Sequence, residues 1–200
     1  MAVGPRADVL RSYAGRQVTG GPRAIILPGM IDTQVHITSH FGKDGRASNQ
    51  GETPAEQILY GAENAYVTLI AGFTTIQSIG GPGDFRLRNA FARGLLPGPR
   101  LLTSSSAFTN DTANPEQIRE HVRNRVAQGA DLVKFFASKS IRDGGGQTIS
   151  DSTIQAGCAA AKAAGKRVWV HAHAASAVRA SALAGCFAVT HGAYVTQEEL

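Results

Sequence analysis

The chain of 200 residues is poor in cysteine and in aromatic residues, and it has no long apolar run. It holds two cysteines, and aromatic side chains make up 6% of it. Cys158 and Cys186 lie in alanine-rich helical surroundings, so we expect buried free thiols rather than a disulfide, as in a reducing compartment. No stretch is long and apolar enough to cross a membrane, and the N-terminus lacks a basic segment followed by a hydrophobic one. We expect a soluble, cytoplasmic protein without a membrane partner.

The chain also lacks a basic cluster, although its formal net charge is +5. The arginines between Arg88 and Arg125 are spread among acidic residues on predicted helices, where solvated helix faces account for them. The glycine-rich turn at 80–83 has neither the Rossmann spacing nor the Lys-Ser/Thr ending of a phosphate loop. We therefore expect no nucleic-acid partner.

The overall composition of the chain is typical of a globular domain. Hydrophobic residues make up 42% of the chain and charged residues 18%, which is enough for a sizeable core and argues against global disorder. Residues 1–24, rich in glycine and proline, carry little periodicity and predict an irregular lead-in. The globular domain is expected over residues 25–200.

From residue 25 onward, predicted strands and helices alternate six times. Thr53 and Glu56 form a capping box around Pro54, and Asn114 caps a later helix, so two helix starts are sharply defined. Alternation of this kind indicates parallel strands joined by crossovers, which fits both a doubly wound sheet and a (β/α)8 barrel. The predicted strands are 30–37, 73–79, 100–104, 131–138, 168–174 and 187–193, and a further helix is expected from Thr196.

Polar side chains favour the barrel. They recur in the C-terminal halves of different predicted strands, which is where barrel enzymes build their sites, whereas an open sheet concentrates its site at a switch point. These residues are His36, Gln77, Lys134, His171, His173 and His191. We expect an α/β fold of the (β/α)8 TIM-barrel type, incomplete, with about six β/α units.

The first predicted strand carries a polar face. Side chains alternate along a strand, so Asp32, Gln34 and His36 share one side. The segment 26–38, ILPGMIDTQVHIT, resembles the first-strand signature of the metal-dependent amidohydrolase superfamily, Pro-Gly-apolar-Ile-Asp-Thr-His-x-His. Within the superfamily, the chain resembles the imidazolonepropionase and Xaa-Pro dipeptidase-like amidohydrolases, and the resemblance implies that residues 1–24 are the remnant of a small β-sandwich. The resemblance implies that His36 is a metal ligand; Gln34 replaces the first histidine, and its carboxamide would be a weak ligand for a zinc-like ion.

Lys134 interrupts an apolar run from Leu132 to Phe136. An isolated buried ammonium is unfavourable, so such a lysine is paired, shifted in pKa, modified, or directed to the strand end. The segment 129–134, GADLVK, resembles the family segment whose lysine is carboxylated and bridges two metals. The resemblance implies N6-carboxylysine at Lys134.

Three further histidines follow in the order that the family shows. His171 and His173 lie two residues apart in VHAHA, and His191 ends the next predicted strand. The resemblance implies that His171 and His191 are metal ligands and that His173 binds substrate or supports the ligands. Hydrogen-bonded core histidines are the alternative for this set. His40 is assigned to a loop and His121 to an exposed helix face.

Together these residues imply hydrolysis of amide or peptide-like C–N bonds in a small-molecule substrate. Lys134, His171 and His191 would form one metal position and His36 half of another, for one or two ions of Zn²⁺ or another divalent metal that activates water. The family's general base is a strand-eight aspartate. The sequence stops before strands seven and eight, so no catalytic base is assigned.

Two other functions stay open. Gln34 would suit a non-catalytic relative that keeps metal or ligand binding. A six-stranded portion of a barrel also has two open edges, which predict self-association into a homo-oligomer.

Overall fold

The computed structural model describes residues 7, 8, 11, 27–42, 45, 47, 51–81 and 83–198. Six strands and five α-helices alternate along this part of the chain. The strands are β1 (Met30–Val35), β2 (Phe73–Ser78), β3 (Arg100–Thr103), β4 (Leu132–Phe136), β5 (Arg167–Ala172) and β6 (Ala188–His191). The helices are α1 (Pro54–Ile70), α2 (Asp84–Ala92), α3 (Pro115–Ala127), α4 (Asp151–Ala163) and α5 (Ala175–Leu183), with a 3-10 turn at Ile141–Asp143.

Two predictions fall on the ends of the chain. The irregular lead-in predicted over residues 1–24 lies outside the described residues except for 7, 8 and 11, which are helical, and the predicted start of the globular domain at residue 25 also lies outside them. The helix expected from Thr196 runs into residues 199 and 200, which also lie outside them, while residues 197 and 198 form a turn.

The capped helix starts are those predicted from the sequence. The Thr53 hydroxyl accepts the Glu56 N–H at 3.3 Å, and the Glu56 carboxylate accepts the Thr53 N–H at 2.7 Å. Asn114 and Gln117 form the same reciprocal pair at the start of α3. Each box satisfies backbone N–H groups that have no partner within the helix, which fixes where the helix begins.

The strands pair in parallel, in the orders β1-β2-β3 and β4-β5-β6. Phe108 bridges the two groups: its N–H donates to the Lys134 carbonyl and its own carbonyl accepts the Phe136 N–H, both at 2.9 Å. The Asp131 N–H also donates to the Thr103 carbonyl at 2.8 Å. The strands therefore follow one another in chain order, without the reversal that defines a doubly wound sheet. This is an incomplete (β/α)8 barrel, as the polar strand ends predicted.

The core lies on both faces of β4 and β5. On the helix side, Val133, Phe135 and Val170 pack with Ile118 and Ile154 from α3 and α4. On the opposite side, Leu132 and Trp169 pack with Ile79. Burying side chains of this size stabilises the fold by about 1.5–3 kcal/mol each. These two strands therefore form a rigid support for the polar groups at their ends.

Helix α1 packs one side on the sheet and leaves apolar side chains in solvent. Gly61 and Ala65 are buried, and Ile58 and Ala62 pack against Ile76 and its neighbours. The exposed α1 face consists of Leu59, Tyr66, Val67 and Ile70, and Leu59 is 70% exposed. Among the described residues, no helix is long and apolar enough to cross a membrane.

The expectation of two free thiols is wrong. Cys158 in α4 and Cys186, after α5, form a disulfide, with 5.2 Å between their Cα atoms. The two helices pack against each other and bring together residues that are 28 positions apart, a proximity that alanine-rich composition does not reveal. The argument from free thiols to a reducing compartment no longer holds, and the cytoplasmic location stays a prediction.

Candidate metal centre

Strand β1 presents the polar face that its alternation predicts. Val35 and Ile37 pack toward α1 with the apolar cluster around Ile76, which directs Gln34 and His36 to the opposite side. The Gln34 backbone N–H donates to Oδ1 of Asp32 at 3.0 Å. Asp32 therefore stabilises the backbone of the strand that leads to His36.

His36 follows β1 directly and is exposed. Its Nδ1 lies 3.3 Å from the Gly80 carbonyl oxygen, in the loop after β2. When Nδ1 carries the proton, this carbonyl accepts it and Nε2 keeps its lone pair, which is the usual way in which a metal-binding imidazole is oriented.

Lys134 is buried in the middle of β4, with 1% of its surface exposed. Its Nζ donates to Oγ1 of Thr190 at 3.1 Å and lies 5.6 Å from the centre of the Phe136 ring. Burial lowers the pKa of Lys134 to about 8, because the charged form loses its hydration. The sequence alternative of a lysine directed to solvent at the strand end is therefore wrong.

His171 lies on β5, beside Phe136 on one neighbouring strand and Thr190 on the other. Its ring stacks on Phe136 with 4.2 Å between centroids, and its Nε2 lies 3.4 Å from the Lys139 carbonyl oxygen. Burial lowers the pKa of His171 to about 4, and the nearby His191 and Lys134 act in the same direction. The imidazole is therefore neutral at pH 7, the form in which it binds metal.

His173 is held by its backbone on two sides. Its N–H donates to the Ser138 hydroxyl at 2.8 Å, and its carbonyl accepts the Tyr194 N–H at 3.1 Å. The residue is 7% exposed, and its Nδ1 is buried without a hydrogen-bond partner among the described residues. Buried ring nitrogens usually have a partner, so this atom is available to a ligand that the fold itself does not supply.

His191 ends β6 with a left-handed backbone, φ = 85°. Residues other than glycine rarely take this conformation, and those that do cluster at functional sites. The His191 ring stacks on His173 with 4.7 Å between centroids and 14° between planes, and it meets His171 nearly edge-on. Burial lowers the pKa of His191, and the charges of His173, Lys134 and His36 add to this effect.

These three rings form one group, the three-histidine cluster of His171, His173 and His191. One ligand nitrogen from each lies within 4.8 Å of the others. Neutral imidazoles suit zinc and related divalent ions better than magnesium or calcium. The unpartnered Nδ1 of His173 and the lowered pKa values at the other two rings make the cluster a fitting site for such an ion.

Asp84 is a site residue that the sequence analysis missed. It begins α2, is 1% exposed, and accepts the Thr103 hydroxyl at 2.6 Å. Burial raises its pKa, although the hydrogen bond from Thr103 and the charge of His36 oppose the rise. A buried carboxylate near His36 thus ties the start of α2 to the end of β3. The sequence signal for this site residue is an aspartate that follows a glycine-rich turn and begins a predicted helix.

Two further histidines lie away from this site. His40 is in the predicted loop, where it pairs with Glu52 at 3.0 Å and stacks on Tyr60. His121 is not on an exposed face as expected: its Nε2 is buried, and its ring lies 5.1 Å from that of Phe108. Burial lowers the pKa of His121 to about 4.

The fold and the site define a class: barrel proteins whose candidate metal centre lies at the carboxyl ends of parallel strands. Residues 25–197 match the model of the amidohydrolase family, so the chain belongs to this family. This confirms the resemblance seen in the first strand, the lysine segment and the ordered histidines.

Solved structures agree with the assignment. The chain is similar to a crystal structure of a Xaa-Pro dipeptidase with methionine bound in the active site: the TM-score is 0.77 and the identity 26%, over 86% of this chain and 50% of that one. A putative prolidase from Bifidobacterium longum is also 26% identical, with a TM-score of 0.65, over 86% of this chain and 42% of that one.

A prolidase complexed with N-methylphosphonate-L-proline shares the fold, with a TM-score of 0.75 and 22% identity over 92% of this chain and 54% of that one. The chain thus spans about half the length of the solved structures that it matches. No curated protein matches it.

Proposed function

We propose that this protein is a metal-dependent hydrolase of amide or peptide-like C–N bonds. The supporting observation is that the His171 and His191 ring centroids lie 4.6 Å apart at the ends of β5 and β6, and that the buried Lys134 of β4 bonds to Thr190 beside His191, in a member of the amidohydrolase family. The similarity to a Xaa-Pro dipeptidase and to a putative prolidase favours a small peptide-like substrate.

His171 and His191 are the proposed ligands of the first ion, which is Zn²⁺ or another divalent metal. Such an ion supplies Lewis acidity, polarising the substrate carbonyl and activating water. The protein keeps both imidazoles neutral and fixes the His171 ring between Phe136 and the Lys139 carbonyl. These contacts orient the donors before any metal arrives.

Lys134 is proposed to react with carbon dioxide to form N6-carboxylysine. The neutral amine attacks the carbon, an N–C bond forms while one C–O π bond breaks to give the carboxylate oxygen, and the proton released from the nitrogen passes to a water molecule. Burial favours this step because it lowers the pKa of Lys134 to about 8, which increases the neutral fraction of the amine. The resulting carboxylate would complete the first metal position with His171 and His191, and it would also serve a second ion at His36, with Gln34 as a weak additional ligand.

A panel of dipeptides, N-acyl amino acids and lactams, assayed with added Zn²⁺, tests this function. We expect hydrolysis of at least one class, with His191→Ala reducing kcat/KM at least 100-fold while the fold is retained. His40→Gln is the matched control, because His40 pairs with Glu52 outside the cluster. Equal turnover by the His191→Ala and unmodified proteins, or none by a metal-loaded protein, would overturn the proposal.

A non-catalytic metal-binding role is the second candidate, favoured by Gln34 where the family pattern has histidine. Gln34→His separates the two. A gain in turnover would indicate a catalytic site that lacks one ligand, whereas metal binding without turnover in both forms would favour the binding role.

We also propose that copies of this chain associate through the exposed α1 face and the neighbouring edge of β1. Ile31 is 62% and Ile70 67% exposed, more apolar surface than an isolated domain usually leaves in solvent. Sedimentation should show dimers or larger species, and Ile70→Lys should shift them toward monomers. Leu183→Lys, at an exposed site on α5, is the control.

A further inference from the structure

We propose that the Cys158–Cys186 disulfide is a redox switch, which fixes β6 in place when the bond is closed and releases this strand when the bond is reduced. The switch acts on the strand that carries Thr190 and His191. It requires neither a bound metal nor turnover, so it stands apart from the proposed hydrolase function.

The bond joins a rigid element to a strand that begins close by. Cys158 lies in α4, is 3% exposed and belongs to the core cluster that includes Val133 of β4 and Val170 of β5. Cys186 lies two residues before the start of β6 at Ala188. Because only 5.2 Å separates the two Cα atoms, the start of β6 stays beside α4 while the bond is closed.

Few other contacts hold β6 among the described residues. The strand has four residues, and in this part of the chain it pairs with β5 alone. Its first three residues are half-buried and His191 is exposed, whereas residues 168–172 of β5 are all buried. Phe187 packs on Trp169, with 4.9 Å between centroids, but it remains 58% exposed. Segments with so few buried contacts open at a low cost in free energy.

Opening of β6 removes contacts from the candidate site. Oγ1 of Thr190 accepts a hydrogen bond from the Lys134 ammonium and donates one to the Val170 carbonyl, both at 3.1 Å. Just after the strand, the Gly192 N–H donates to the Ala172 carbonyl at 2.9 Å. A β6 strand that moves away from β5 loses these bonds together, which leaves the buried charge of Lys134 without its partner.

The two sulfurs differ in their access to a reductant. Cys186 is partly exposed and lies between the exposed residues Gly185 and Phe187, while Cys158 is buried. A thiolate of a dithiol reductant therefore attacks Sγ of Cys186 and forms a mixed disulfide, and Cys158 leaves as a thiolate. Accessible disulfides of this kind are the labile and regulatory ones.

The second thiol of the reductant completes the reaction. It attacks the reductant's own sulfur in the mixed disulfide and releases Cys186 as a thiolate. Two electrons have then passed from the reductant to the protein, the two protons lost by the reductant are taken up by Cys158 and Cys186, and the reductant is left as a disulfide. Oxidation of the two thiols reverses the change.

Hydrogen exchange of the full chain, followed by mass spectrometry before and after reduction with dithiothreitol, tests the switch. We expect reduction to raise the ratio of the exchange rates of β6 and β5 amides at least tenfold, and reoxidation to restore it. The ratio removes any general loss of stability, because such a loss speeds exchange in both strands. The double variant Cys158→Ala/Cys186→Ala is the control, and it should show the high ratio with and without dithiothreitol.

Acetylation of Lys134 gives a second measurement, at the site itself. Relative to Lys162, an exposed lysine of α4, Lys134 should react at least fivefold faster in the reduced protein, because its Thr190 partner has moved away. Circular dichroism checks that the reduced protein and the double variant are folded.

Three outcomes would overturn the inference: an unchanged ratio of β6 to β5 exchange on reduction, a uniform rise in exchange along the whole chain, or thiols that do not pair in the presence of glutathione disulfide. The uniform rise would show that the bond stabilises the entire fold rather than β6. These results are separable from the proposed function. Hydrolysis by a protein whose ratio does not change would refute the switch alone, and a changed ratio in a protein without hydrolase activity would refute the function alone.

Discussion

The Lys134 ammonium donates a hydrogen bond to Oγ1 of Thr190, with 3.1 Å between Nζ and Oγ1. The two residues are 56 positions apart, and the bond joins β4 to β6 across the intervening β5. A buried charge is tolerated only with a partner, so the threonine hydroxyl is part of what allows a lysine in this apolar strand.

Thr190→Val should therefore destabilise the protein. Valine has nearly the shape of threonine but offers no acceptor, which leaves the ammonium unpaired and should lower the free energy of unfolding by about 1–3 kcal/mol. Urea unfolding monitored by circular dichroism measures this change. Thr190→Ser keeps the hydroxyl and should lose less; equal stability of the valine variant and the unmodified protein would refute the role of the bond.

Gly145→Ala should weaken metal binding. The added methyl group would meet Tyr194 and His173 at distances that require one of them to move, and both define the position of the His173 ring. We expect a rise in the zinc dissociation constant of about 10-fold, as for a change in the support of a ligand. Gly144→Ala is the matched control, because its φ of 84° imposes similar backbone strain with no atom within 4 Å. Equal affinities in the two variants would show that the contact is irrelevant.

Acid should destabilise the metal-free protein partly through His121. Its pKa is lowered from 6.5 to about 4 in the folded state, so between these values the unfolded chain binds more protons. The free energy of unfolding should then fall as the pH decreases from 6.5 to 4, and His171 acts in the same direction.

His121→Leu should flatten this dependence without abolishing it. Denaturant unfolding at a series of pH values gives the slope for each protein. A slope in the leucine variant as steep as in the unmodified protein would contradict the assignment of a buried, neutral His121.

The disulfide should be detectable as a difference in the number of free thiols before and after reduction. Thiol titration of the denatured protein is expected to give no free thiol before reduction and two per chain afterwards. Because the Cys158–Cys186 bond closes a loop of 28 positions, replacing both cysteines by alanine should cost about 3.5 kcal/mol of stability. Two thiols in unreduced protein would restore the expectation drawn from the sequence.

Features encoded by neighbouring residues were predictable. The capping boxes at Thr53 and Asn114 each lie within four residues, and they fixed two helix starts correctly. The strand and helix alternation, together with polar strand ends, predicted the parallel barrel, because side-chain direction along a strand follows directly from residue order.

Features that depend on tertiary contacts were not predictable in this way. The disulfide requires α4 and α5 to be packed together, and the burial of His121 requires Phe108 from a distant loop. The stacking of His173 on His191 joins residues from two strands, and no pattern in the adjacent residues predicts the left-handed backbone at His191.

The central claim is that this chain holds a divalent metal between His171 and His191, at the ends of β5 and β6. The most direct test is the metal content per chain, determined by mass spectrometry on purified, dialysed protein. The account predicts close to one zinc-like ion per chain, lost in folded His191→Ala. A folded, unmodified protein that retains no metal after exposure to zinc, or an ion retained equally by His191→Ala, would contradict it.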